Sequence, residues 1–136
     1  MPFLTETVVV KTGNGRSFEL LEPMAYVTRA GTTITVPAGT RSDGASTPSV
    51  LWPLLPPFGD YWRAAILHDY LYRYTFLPRD YCDAILLEAM ESLGVDVAVR
   101  RQIYDGVRLG GWKAFEEDRK ELDERMNQVI LQTRIC

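Results

Sequence analysis

The chain has 136 residues, enough for one domain with a real hydrophobic core and too few for two comfortable ones. Hydrophobic residues make up 46% and charged residues 24%, the balance of a folded protein, and a net charge of −3 gives no electrostatic reason to expect nucleic acid. Two cysteines, Cys82 and Cys136, build no disulfide framework, and a reduced compartment is the simplest assignment.

The opening Met1–Thr7 lacks a basic and then apolar run, so no signal peptide is expected, and no apolar stretch approaches membrane-spanning length. Residues 1–40 read as β-structure. Phe3–Lys11 is rich in Thr and Val, and Thr12–Gly15 supplies a turn. Phe18–Leu21 and Ala25–Thr28 are strand segments interrupted by Pro23, and Thr32–Val36 is a β-branched run closed by Pro37–Thr40. These segments predict a small antiparallel sheet of three or four strands.

Residues 41–57 are a Pro-rich connecting loop. Four prolines between 48 and 57 exclude a regular helix there. Asp43 and Ser46 are short polar groups on this stiff segment and are candidate site residues, although each can instead bond its own backbone.

Residues 58–136 read as helical. The first helix opens at Asp60 and ends near Thr75, ahead of Pro78, with Trp62, Ala65, Ile66 and Leu71 as its apolar positions. The second runs from Pro78 or Arg79 to Leu93, with Cys82, Ile85, Leu86, Ala89, Met90 and Leu93 in a stripe and Gly94 closing it. The linker is so short that the two helices form an antiparallel hairpin. A third helix begins after Asp96 and ends at Gly110-Gly111. A fourth, Trp112 to about Thr133, is amphipathic, with Glu116–Arg125 as a solvated face. The fold class is therefore α+β: one domain, an N-terminal sheet and then three or four helices around a central hairpin.

The first helix holds the only histidine, His68, followed by Asp69. Tyr72 lies four residues on and shares a face with the histidine. The hairpin brings Asp83 of the second helix back towards this cluster. An imidazole, two carboxylates and a phenol on half-buried helices suit acid–base chemistry. They also suit a buried polar network that specifies the hairpin.

Two resemblances follow from these residues. The ordered set Asp43–Pro48, Trp52, Arg63-Ala-Ala, His68–Tyr72, Asp83 and Gly110-Gly-Trp resembles a family of small phage and prophage proteins catalogued as a domain of unknown function, over roughly residues 20–115. It implies a phage origin and no settled activity; the expected setting is a virion, in the tail or its tip, or the host cytoplasm, with other phage structural proteins or a host envelope component as partners.

The stretch Asp60–Tyr72 with Asp83 is similar to the His-Asp-x-x-Tyr helix of calcium-dependent secretory and viral phospholipases. That resemblance implies His68 as general base, Asp83 as its orienter, Asp69 as calcium ligand and Tyr72 as a hydrogen-bond partner of Asp83. The sequence departs where those enzymes place a glycine-rich calcium loop: Leu54–Asp60 has one glycine and two prolines. The expectation is a hydrolase of an ester or amide in the host envelope. The alternative is a structural tail or assembly protein in which His68, Asp69 and Tyr72 form a buried network.

Overall fold

A computed structural model describes residues 2–5, 8–13, 17–42 and 61–135. The architecture is α+β: among the described residues, short antiparallel strands are followed by four helices. The strands are β1 (Val10–Thr12), β2 (Phe18–Leu20), β3 (Met24–Val27), β4 (Thr33–Val36) and β5 (Arg41–Ser42). They form two small sheets rather than one, in the orders β1-β2-β5 and β3-β4. Leu21–Pro23 breaks the chain between β2 and β3, and proline has no amide to donate to a ladder. The first expected strand is shorter than its composition suggests. Among its described residues Val10–Thr12 joins a ladder, while Phe3 makes an isolated bridge to Tyr26.

β5 falls within the expected connecting loop. It pairs with β2 through Phe18↔Ser42 and Glu19↔Arg41, so Phe18 and Ser42 both turn to the buried side.

The helices are α1 (Trp62–Tyr74), α2 (Arg79–Ser92), α3 (Val97–Gly110) and α4 (Trp112–Ile135). Among the described residues no helix is long and apolar enough to cross a membrane. The boundaries have local causes. Thr75 is extended, and its Oγ1 donates to the Leu71 carbonyl, ending α1. Gly94 takes φ +72° after α2, with its amide on Glu91 O and the next amide on Met90 O, a Schellman closure. Asp96 caps α3 by accepting from the Ala98 amide.

α1 is the hub. It packs against α2, α4 and β5, so Ala64, Ile66, Leu67, Leu71 and Tyr72 are all buried. Trp62 and Ala65, expected in the apolar stripe, are only partly buried. A helix covered on several sides has no single stripe to read. The expected N-cap Asp60 lies outside the described residues.

α4 corrects the reading of Glu116–Arg125 as a purely solvated face. Arg119 turns inward and donates to the Leu71, Tyr72 and Leu77 carbonyls, and Arg125 donates to the Arg73 carbonyl. These include three of the four carbonyls that the end of an α-helix leaves without partners.

Gly111 joins α3 to α4, packed closely against Tyr72. A Cβ there would lie 2.6 Å from the Val107 carbonyl oxygen and 3.2 Å from the Tyr72 hydroxyl. Gly111→Ala is expected to cost about 1–3 kcal/mol, because backbone has to move. Urea denaturation checks this, and an unchanged midpoint would show that the joint has slack.

Candidate functional site

The α1–α2 hairpin places Asp83 directly against the histidine helix. His68 Nε2 lies 2.7 Å from Asp83 Oδ1, and the Tyr72 hydroxyl donates to the same oxygen at 2.6 Å. The His68 and Tyr72 rings pack with centroids 4.2 Å apart, and Phe115 of α4 closes on Tyr72 edge-on at 5.1 Å. The second oxygen of Asp83, Oδ2, accepts from Arg108 Nη1 of α3 at 2.6 Å, with Arg79 Nη1 of α2 at 3.5 Å. Three helices thus converge on one carboxylate.

Arg79 and Arg108 escaped the sequence reading. Arg79 had a local signal, since it stands four residues before Asp83 on one helix face. Arg108 had none, because only the packing of α3 brings it in. Arg79 also donates to the Val107 and Arg108 carbonyls, tying the end of α3 to the same point.

Asp83 is fully buried, and burial by itself raises a carboxyl's pKa. The bonds from His68, Tyr72 and Arg108 outweigh that effect and hold Asp83 below the usual carboxylate range. An ionised carboxylate only accepts, so His68 Nε2 must carry the proton. In the neutral ring Nδ1 then bears the lone pair. This nitrogen is buried and has no hydrogen-bond partner among the described residues.

Burial and the adjoining carboxylate push the Tyr72 phenol up, keeping it a donor. Burial likewise pushes the Cys82 thiol up to about 12, so it is no thiolate nucleophile.

The lowered pKa of Asp83 sets a pH dependence. Its folded-state value lies below the unfolded one, so its stabilising contribution is complete above about pH 4 and is lost as pH falls through the lowered value. The stability gap between wild type and Asp83→Asn is therefore expected to narrow below about pH 4. Thermal melts across this range check it, and a gap constant down to about pH 2 would contradict the assignment.

Asp69 is buried and accepts from Ser42 Oγ of β5. It is tied to the sheet, one residue round the helix from His68. Ser42 was also missed, since a short strand inside a polar loop gives little signal. Asp43 and Ser46 lie outside the described residues.

For calcium, the described donors do not make a fit. Calcium takes six to eight oxygen ligands. Among the described residues no group of three or more His, Cys, Asp or Glu side chains could hold a metal. Asp69 is the one carboxylate the resemblance assigns to the ion, and it already accepts from Ser42.

The chain is 32% identical over 102 residues to the uncharacterized protein y4jT of Sinorhizobium fredii, an alignment covering 71% of this chain and 25% of that protein. It therefore spans about a quarter of that relative's length. No solved structure matches. The family model for the protein of unknown function DUF1353 matches residues 18–107, from β2 through most of α3, and so includes His68, Asp69, Tyr72, Arg79 and Asp83. The chain belongs to the DUF1353 family.

Proposed function

We propose that the chain is a hydrolase in which His68 is the general base and Asp83 its orienter. The unpartnered Nδ1 of His68 carries this reading. Asp83 fixes the ring by its other nitrogen, leaving a basic lone pair with no structural duty. In the reaction Nδ1 takes a proton from water as the water oxygen bonds to the acyl carbon. The C–O or C–N bond then breaks, and the imidazolium returns the proton to the leaving oxygen or nitrogen. Asp83 stabilises the imidazolium, and Tyr72 and Arg108 keep Asp83 in place and ionised.

The setting we propose is a phage or prophage virion, at the tail, with an ester or amide of the host envelope as substrate. Its support is the resemblance of the Asp43–Pro48 and His68–Tyr72 motifs to phage proteins.

The second reading, a structural network, is favoured by burial: His68 is 1% exposed and Asp83 0%. Against it stands Nδ1, since buried polar atoms in a purely structural network find partners.

The test is hydrolysis by the full chain of two envelope substrates, bacterial phospholipid and peptidoglycan fragments, beside His68→Gln. Release of product by wild type and its loss in the variant is the expected result. No release from either substrate, or equal release by both proteins, would sink the hydrolase reading.

A further inference from the structure

A cleft of about 390 Å³ opens beside the histidine helix, at the end of the β1-β2-β5 sheet. Lys11, Arg41 and Arg73 all line it, with Glu19 as the carboxylate among its lining residues. Such a concentration of positive charge stands out in a chain whose net charge is −3. Lys11, Glu19 and Arg41 are successive cross-strand partners, and Arg41 Nε pairs with Glu19 Oε1 at 2.8 Å. Glu19 thus offsets one of the three cations.

Arg73 comes from α1. Its Nη2 is 4.0 Å from the largely exposed Glu121, at the limit of an ion pair, and its Nε is buried with no hydrogen-bond partner among the described residues.

Ser42 joins this cleft to the acid–base site. It lines the cleft, and its Oγ donates to Asp69, the neighbour of His68. Arg73 follows Asp69 by four residues, on the same helix face and about 6 Å along the axis.

We propose that the cleft binds a phosphate group of the substrate. Among the described residues Lys11, Arg41 and Arg73 stand against Glu19 and, at the limit of an ion pair, Glu121, an excess of one positive charge that matches a singly charged phosphate. Guanidinium forks suit a tetrahedral oxyanion better than isolated ammonium groups do. The proposal rests on the hydrolase reading for its biological use: the substrate becomes a phosphate-bearing ester or amide. The binding itself does not depend on catalysis.

The test uses the full chain in four titrations followed by amide NMR shifts: inorganic phosphate, phenyl phosphate, acetate, and vesicles of phosphatidylglycerol. Wild type is compared with the double variant Lys11→Gln/Arg41→Gln, whose changed side chains lie at the surface, and with His68→Gln. Phosphate is expected to shift the amides of Thr12, Gly13 and Ser42. Its affinity should fall at least about tenfold in the double variant, which loses two charge-assisted bonds, and hold in His68→Gln.

Binding of the two soluble phosphates without vesicles identifies a soluble ester, and vesicle binding lost in the double variant identifies a lipid headgroup. No phosphate binding, binding unchanged in the double variant, or acetate binding as tightly as phosphate would overturn the proposal. Phosphate binding without any hydrolysis would retain the cleft and remove the hydrolase. Hydrolysis without phosphate binding would do the reverse.

Discussion

Replacing Asp83 by alanine is expected to destabilise the fold by about 3–5 kcal/mol, the range for breaking a buried charge pair from one side. The carboxylate accepts from His68, Tyr72 and Arg108, with Arg79 close by. Its removal strands a buried imidazole N–H and a buried phenol, and leaves Arg108 and Arg79 facing each other without a counter-charge. Domains of this size have about 5–15 kcal/mol in total, so the variant is left near its limit of stability. Urea denaturation measures the loss. Arg108→Met, which removes a donor that is one-third exposed, is expected to cost less, about 1–3 kcal/mol. A loss below about 1 kcal/mol for Asp83→Ala would mean that its partners find others, and that the carboxylate does not hold the three helices together.

His68→Gln is expected to cut turnover by about 10²–10⁴-fold while the fold holds to within about 1 kcal/mol. Glutamine can place its amide nitrogen where Nε2 stands, so the donor to Asp83 survives. It offers no basic nitrogen in place of Nδ1, so the proton has nowhere to go. The two readings of the cluster separate on this variant. A base site loses rate and keeps its melting temperature. A structural network loses nothing, because the one bond it uses is preserved. His68→Ala is a poorer probe, since it strands Asp83 and mixes the two effects.

The hairpin was legible in the sequence for physical reasons that stay local. Pro78 ends one helix within a few residues of the next, and Cys82, Ile85, Leu86, Ala89 and Met90 mark one buried face. Together these place Asp83 opposite His68. What was not legible depends on tertiary packing. Arg108 is 25 residues from Asp83, and nothing in its own neighbourhood announces the contact. Ser42 sits in a two-residue strand that exists only because β2 offers it an edge. Arg119 falls in the stretch read as a solvated face, whereas its charge is spent on carbonyls at the end of α1. The same packing explains the misread stripe of α1, whose burial on several sides erases the 3.6-residue signal.

The arginine clamp on α1 bears on the order in which the molecule can be completed. The groups that close the end of the histidine helix stand 47 and 52 positions further along the chain than the carbonyls they serve. During synthesis His68, Tyr72 and Asp83 are all made well before Arg119 and Arg125. Domains assemble as their sequence emerges, so the hairpin can collapse early. Its last turn stays frayed and hydrated until α4 arrives. Phe115, which walls Tyr72, arrives with the same helix. The acid–base cluster is therefore encoded on α1 and α2 but reaches its final geometry only when α4 docks.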